Sequence, residues 1–127
     1  MPKTLIAPEG LPKPVGPYSV GIRTGQLLFI SGQIAINHKG DFDEKLSVGD
    51  QTKIIMKNLE NILKSQKLGL NQAVKTTIFL TDIKDFTLVN EIYGGFFPSA
   101  PPARSTFQVA ALPKNAKIEI EMIASFD

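Results

Sequence analysis

The sequence predicts an α+β fold in which a mixed β-sheet carries two helices packed on one face. Two segments have the apolar spacing of amphipathic helices, and strand-like segments precede, separate and follow them. A chain of 127 residues that is 43% apolar can bury a core without disulfides or a structural metal. These observations predict a single domain spanning residues 1–127.

The first half of the chain is expected to open with an irregular segment and a hairpin. Residues 20–23 and 27–31 predict two paired strands, because residues 24–26 form a turn-like link between them. Residues 27–30 are apolar without alternation, which predicts that both faces of this strand are buried. The proline- and glycine-rich segment that ends at Pro17 is expected to be an irregular strap.

The first helix is expected to begin near Ser47, which is spaced to cap the helix end together with Asp50. Gly69 is expected to end it, because glycine tolerates the left-handed conformation that often follows a helix. The apolar positions at helical spacing are Ile55, Leu59, Ile62 and Leu63.

A β-branched strand is predicted at residues 74–80, followed by a second helix. Asp82 is expected to cap this helix and Pro98 to end it. Its buried stripe is predicted to consist of Phe86, Val89, Tyr93 and Phe97.

The last two strands are predicted at residues 103–109 and 117–126. In the final strand, one face carries Ile118, Ile120, Met122, Ala124 and Phe126. The opposite sheet face is also expected to carry apolar side chains. They include Phe79 and Ile123, together with either Phe107 and Val109 or the residues that alternate with them along the strand. Because no third layer remains in the chain to cover that face, the sequence predicts a homo-oligomer.

Composition excludes several kinds of site. There is no cysteine, which excludes disulfides, thiolate nucleophiles and cysteine-based zinc sites and fits a reducing compartment. The only histidine, His38, lies in a predicted turn, so a multi-histidine metal centre within one chain is excluded. The net charge is +2 and the basic residues are dispersed, so nucleic-acid binding is not indicated. No apolar run resembles a signal peptide or reaches membrane-spanning length, which predicts a cytoplasmic protein with no membrane partner.

Two charged residues on the last strands are candidates for chemistry. Arg104 follows two prolines that stiffen its support, and its planar guanidinium fits a carboxylate in two parallel hydrogen bonds. Glu119 could orient or deprotonate water. If the two strands pair antiparallel, the numbers of any two residues that face each other add up to one constant. An odd constant near 227 would place both side chains on the same face of the sheet, whereas an even constant would place them on opposite faces. Spacing alone favours a structural ion pair over a ligand site.

Five short motifs of the chain occur in a distinctive order. They are Gly16-Pro17-Tyr18, residues 30–34, residues 89–93 with Phe96-Phe97, Pro102-Ala103-Arg104-Ser105, and Leu112-Pro113 with residues 117–121. Together they resemble the Rid family, the reactive intermediate deaminases, and its RidA branch in particular. The resemblance covers nearly the whole chain.

The resemblance implies a chorismate-mutase-like fold assembled as a homotrimer, with a site in each subunit interface. It also implies hydrolysis of 2-imino acids, such as 2-iminopropanoate and 2-iminobutanoate, to 2-oxo acids and ammonia. These imines arise from enamines released by pyridoxal-phosphate dehydratases. The expected reaction requires no metal or organic cofactor.

The resemblance also implies roles for individual residues. Arg104 would clamp the substrate carboxylate, Glu119 would position or activate water, and the backbone amide of Thr106 would assist at the carboxylate. The remaining pocket residues are expected to be Tyr18, Ser31, Gly32 and Asn90. Relatives often have cysteine at the position of Thr106, which argues against a thiol role here. No role is expected for Ser105, which alternation places on the other sheet face from Arg104.

Two other classes of function remain open from the sequence. The arginine pocket could bind a 2-oxo acid or another small carboxylate without turnover, as a sensor or regulator. Alternatively, the chain could have the RNA-directed or chaperone-like activity that is ascribed to some relatives, although its dispersed lysines do not favour this.

Overall fold

A computed structural model describes residues 2–11, 13–14 and 16–127. Within them, two α-helices and six strands form the predicted α+β fold. The elements are β1 (Thr4–Ile6), β2 (Gly21–Thr24), β3 (Leu27–Gln33), α1 (Val48–Ser65), β4 (Ala73–Leu80), α2 (Phe86–Gly94), β5 (Ala103–Gln108) and β6 (Ile118–Ser125). None of the helices in the described part of the chain is long and apolar enough to cross a membrane.

The strands form one mixed sheet in the order β1-β2-β3-β6-β4-β5. All neighbouring pairs are antiparallel except β4 and β5, which run parallel. A parallel pair needs a crossover connection, and α2 lies in that connection. As a result β5 pairs with β4, and β4 separates it from β6. The sequence hypothesis that the last two strands pair directly is therefore wrong.

The core lies between the helices and one face of the sheet. On β6, alternation buries Ile118, Ile120, Met122 and Ala124, as predicted. The predicted stripe of α1 is buried against this face, since Ile55, Leu59, Ile62 and Leu63 have no exposed surface. The helices thus cover one face only and leave the other without a layer.

The uncovered face carries the apolar residues that the sequence predicted for it. Phe107 is 51% exposed there, and Phe79 and Ile123 are half-buried. The hairpin of β2 and β3 is confirmed, with Gly25 at a φ of 58° in its turn. However, burial of both faces of β3 is wrong for the single chain: Leu28 and Ile30 are buried, whereas Leu27 and Phe29 are each 40% exposed.

The N-terminal segment departs from the expected irregular strap. Thr4–Ile6 forms β1 and pairs antiparallel with β2, so this part of the chain joins the sheet. The physical reason is that these three residues precede Pro8 and so keep the backbone donors that a ladder requires. Pro12, one of the prolines of that segment, lies outside the described residues.

The start of α1 is as predicted, but its end is not. The Asp50 amide donates to the Ser47 hydroxyl over 3.1 Å, which confirms the cap. The helix ends at Ser65, and Lys67 (φ 60°), rather than Gly69 (φ −132°), adopts the left-handed conformation. The Lys67 and Leu68 amides donate to the carbonyls of residues 64 and 63, a Schellman closure that Lys67 completes.

The boundaries of α2 differ from the prediction at both ends. Asp82 caps a short 3₁₀ turn over Ile83–Asp85, accepting from the Lys84 amide over 2.9 Å, and α2 itself starts at Phe86. The helix ends at Gly94, before Pro98. Of its predicted stripe, Val89, Tyr93 and Phe97 are buried and Phe86 stays 38% exposed.

Candidate active site

The carboxylate of Glu119 lies against the backbone of Gly32. Because Ile118 and Ile120 point to the helices, alternation directs Glu119 to the uncovered side of the sheet. The pairing of β3 with β6 shifts by one residue between Ile30 and Gln33, so Gly32 lies in a bulge. A Cβ at position 32 would collide with the Glu119 carboxylate. Glycine at this position therefore makes room for the acid.

A cavity of about 250 Å³ opens beside this contact. Tyr18, Gly32 and Glu119 all line this cavity, as the resemblance implied for a common pocket. We call the cavity that these three residues line the carboxylate cavity. The walls are otherwise mainly apolar. Two lysines, Lys13 and Lys114, also lie on the cavity lining and were not singled out from the sequence. The cavity can thus hold a small molecule of mixed character.

The pKa of Glu119 differs from that of an ordinary exposed glutamate. Partial burial raises the pKa of Glu119 above its usual range, and the nearby charge of Glu121 raises it further. A carboxyl with a raised pKa can both accept and return a proton at a pH closer to neutrality. Glu119 and Glu121 share a face of β6, so spacing alone cannot distinguish them, whereas the structure places only Glu119 in the carboxylate cavity.

Ser31 lies next to the carboxylate cavity but not in its lining. Its hydroxyl donates to the Ser19 carbonyl over 2.6 Å. This bond ties the segment that carries Tyr18 to the bulge that carries Gly32. In the described structure, the Ser31 hydroxyl is therefore engaged in holding the cavity walls together.

Arg104 lies on the opposite side of the sheet from Glu119. Its register partner on β4 is Thr76, which is buried towards the helices. The guanidinium carbon lies 5.1 Å from the ring centroid of Tyr93 and 5.5 Å from that of Phe86, both on α2. Within the described residues, the only ion pair joins Lys57 and Glu60. The structural ion pair between Arg104 and a glutamate is therefore wrong.

The two candidate catalytic residues are separated within one chain. Glu119 pairs with Phe79 on β4, and Phe79 stacks on Phe107 at 6.4 Å on the uncovered face. Ser105, not Arg104, shares that face, where its hydroxyl accepts from the Lys75 ammonium over 3.1 Å. Neither register alternative applies, because β4 lies between β5 and β6. The separate pairings of these strands with β4 place Arg104 and Glu119 on opposite faces.

Asn90 and Thr106 lie on the side of Arg104. Asn90 is half-buried on α2, one turn after Phe86 and one turn before Tyr93, on the helix side that meets the guanidinium. Thr106 follows Arg104 on the same face, and its buried hydroxyl has no partner among the described residues. We call Phe86, Asn90, Tyr93 and Arg104 the arginine cluster.

The contacts of Phe86 and Tyr93 with Arg104 were missed from the sequence. Both residues were identified as part of a buried stripe, and nothing in the spacing indicated that β5 would bring a guanidinium to that stripe. The described residues contain no group of three or more histidine, aspartate or glutamate side chains that could hold a metal ion.

Comparison with known proteins places the chain in a family. The family model described as endoribonuclease L-PSP matches residues 9–126. The chain is also similar to a solved structure of the conserved Rid protein family, YyfA from Yersinia pestis, at 40% identity and a TM-score of 0.92, covering 98% of this chain and 99% of that one. The chain belongs to the Rid family. The predicted resemblance and the chorismate-mutase-like α+β fold are thereby confirmed.

Other members of the family carry more specific descriptions. A relative from Arabidopsis thaliana, named Reactive Intermediate Deaminase A, is 49% identical over 124 residues. That match covers 97% of this chain, which spans 66% of the length of that relative. Another Rid-like structure, Escherichia coli TdcF with bound serine, is 36% identical with a TM-score of 0.88 and covers 96% of this chain and 98% of that one.

Proposed function

We propose that this chain hydrolyses reactive 2-imino acids, such as 2-iminopropanoate and 2-iminobutanoate, to 2-oxo acids and ammonia. The observation that carries the proposal is the state of Arg104: a half-buried guanidinium, held by aromatic rings, with no acidic partner among the described residues. Such a group is ready to bind a carboxylate. The name of the Arabidopsis relative, and the serine bound by the Escherichia coli relative, support a substrate with a carboxylate beside a nitrogen-bearing carbon.

The separation of Arg104 from Glu119 leads us to propose that the site forms between copies of the chain. The arginine cluster of one copy would meet the carboxylate cavity of another. The uncovered sheet face, with Phe29 and Phe107 exposed, offers the apolar surface on which copies would pack. A closed ring of such heterologous contacts repeats the same shared site at every interface. We propose the homotrimer that the family resemblance implies.

In the proposed mechanism, Arg104 holds the substrate carboxylate and so fixes the imine carbon above the cavity. Glu119 takes a proton from a water molecule, whose oxygen forms a bond to the imine carbon. The same proton is then passed to the nitrogen, which becomes the leaving amine. Glu119 next takes the hydroxyl proton and delivers it to the same nitrogen, so the carbon–nitrogen bond breaks, ammonia departs and the 2-oxo acid remains. The raised pKa of Glu119 suits both transfers.

The other candidate residues would shape this pocket. Tyr18 and Gly32 would line it beside Glu119, and the Ser31 hydroxyl would hold that wall through the Ser19 carbonyl. Asn90 would lie beside Arg104, and the backbone amide of Thr106 would support the bound carboxylate. We propose that the reaction takes place in the cytoplasm, because a chain without cysteine fits a reducing compartment.

The test is release of ammonia when the purified chain is added to a pyridoxal-phosphate threonine dehydratase. The wild-type chain should accelerate conversion of the released imine, and Arg104→Ala should remove that acceleration without loss of folding. Arg23→Ala is the matched control, because Arg23 is the other arginine of the chain and stacks on Phe126 instead. A chain that binds 2-oxobutanoate but leaves the rate unchanged would be a carboxylate sensor, and the enzyme proposal would fail.

A further inference from the structure

The side chain of Arg104 has unusual support. It is not held by any ion pair in the described part of the chain, and the groups placed against its guanidinium are the rings of Tyr93 and Phe86. A free arginine side chain samples many rotamers, and binding a carboxylate through two parallel bonds requires one orientation. A group that sets the plane of the guanidinium before a ligand arrives lowers the entropic cost of binding.

Of the two rings, Tyr93 is the fixed one. Tyr93 is 4% exposed, whereas Phe86 is 38% exposed. The phenol oxygen of Tyr93 lies 2.6 Å from the Thr76 hydroxyl in a buried hydrogen bond, and its ring packs on Phe97 at 4.8 Å between centroids. The hydrogen bond thus fixes the tip of the Tyr93 ring, whereas the packing along its side is apolar and could also be supplied by a leucine at position 97.

The partner of this hydrogen bond connects Tyr93 back to the arginine. Thr76 is the register partner of Arg104 in the parallel pair of β4 and β5. The phenol therefore joins α2 to the strand beside Arg104, while the face of the same ring supports the guanidinium. Burial raises the pKa of Tyr93, against the opposing effects of the Thr76 bond and the Arg104 charge, so the ring remains a neutral phenol at neutral pH.

We infer that Tyr93 is a positioning residue for Arg104: the ring, held by Thr76, sets the orientation in which the guanidinium meets a carboxylate. This inference rests on the proposed role of Arg104 as the carboxylate clamp. Replacing the ring by an aliphatic side chain removes a cation–π contact, which corresponds to roughly 3- to 30-fold weaker carboxylate binding.

The sharpest test needs no ligand, because the chain has only two arginines, Arg23 and Arg104. A nitrogen–proton NMR spectrum therefore contains two Nε–H signals, and Arg104→Lys identifies one of them by its loss. Tyr93→Leu should shift the Arg104 signal, by removing the ring current, and should lower its heteronuclear NOE. The Arg23 signal should not move, since its Nε donates to the Gly25 carbonyl and its guanidinium stacks on Phe126.

Two further variants keep the test independent of folding losses. Thr76→Val and Tyr93→Phe each remove the buried hydrogen bond but keep the ring, so each should lower the order of the Arg104 signal with a smaller shift. Phe97→Leu is the control for loss of a buried aromatic residue that contacts Tyr93, and should leave the signal in place. An Arg104 signal that is unchanged in Tyr93→Leu, Tyr93→Phe and Thr76→Val would overturn the inference.

Binding provides the second readout. Calorimetry with 2-oxobutanoate should show 3- to 30-fold weaker binding for Tyr93→Leu and less than about 3-fold change for Phe97→Leu. In the Arg104→Lys background the Tyr93→Leu effect should be smaller, because an ammonium is a point charge and has no plane for the ring to orient. Equal losses for Tyr93→Leu and Phe97→Leu would make Tyr93 merely structural. Absence of ammonia release by a wild-type chain that still binds 2-oxobutanoate would refute the proposed deaminase and leave this inference standing.

Discussion

Arg104 and Glu119 project from opposite faces of one sheet, although both belong to strands that pair with β4. Thr76 and Phe79, their respective partners on β4, are three residues apart and so point in opposite directions. One chain therefore cannot bring the guanidinium and the carboxylate onto the same small substrate through this sheet. The proposed activity then depends on two copies, and mixing experiments can test this directly.

Arg104→Ala and Glu119→Gln should each be inactive alone but should complement each other in mixed oligomers. A site with both groups intact forms where an Arg104-bearing copy meets a Glu119-bearing copy, which random assembly at equal amounts gives in about a quarter of interfaces. The mixture, co-refolded or co-expressed, should regain about a quarter of wild-type ammonia release. As a control, the two variants mixed without subunit exchange should stay inactive. No recovery after exchange would mean that the site does not combine residues of different copies.

Gly32→Ala should reduce turnover with little loss of stability. The new methyl group would occupy the position of the Glu119 carboxylate, which lies at the end of a flexible side chain and can move aside. A displacement of about 1 Å of a reacting group can cost on the order of 100-fold, so we expect a 10- to 100-fold fall in kcat. Gly94→Ala is the matched control, because nothing lies within 4 Å of a Cβ added at Gly94. Unchanged kcat in Gly32→Ala would remove Glu119 from the mechanism.

The acid limb of the pH–rate profile should report Glu119. Because burial and Glu121 raise the pKa of Glu119, the carboxylate takes up its proton at a higher pH than an ordinary glutamate as the pH falls. The base form, and with it kcat/KM, should therefore be lost at a pH above 4.5, the usual value for this side chain. Glu121→Gln removes one cause of the shift and should move the limb to lower pH. Glu9→Gln makes the same charge change at an exposed position and should leave the limb in place; equal shifts in both variants would contradict the assignment.

A charge on the uncovered sheet face should disrupt the oligomer. Phe107 is 51% exposed in the single chain, and an aspartate there would be buried without a partner once another copy covers the face. Sedimentation of Phe107→Asp should show smaller species than the wild type, with parallel loss of ammonia release. Leu88→Asp changes a residue of similar exposure, 45%, on α2 instead of the sheet and should sediment like the wild type. A Phe107→Asp variant with wild-type mass would place the interface elsewhere.

Local features of the fold were predictable where the residue itself fixes the structure. Ser47 caps α1 because its hydroxyl can accept a hydrogen bond from an amide in the first turn of the helix. The alternation of Ile118, Ile120 and Met122 fixes which face of β6 is buried, whatever strand lies beside it. In contrast, the end of α1 was misplaced, because Lys67 adopts a left-handed conformation that glycine adopts more easily and that hydrogen bonds to the helix compensate.

The sequence by itself determined the α+β class, the buried faces of α1 and β6, and, through its motifs, the family and the candidate residues. Only the tertiary structure decided that β4 lies between β5 and β6, which directs Arg104 and Glu119 to opposite faces. It also placed Gly32 in a bulge against Glu119, and Tyr93 over Arg104. The physical reason is that alternation and helical spacing are local properties of a chain, whereas strand order and register depend on which distant segments bury each other.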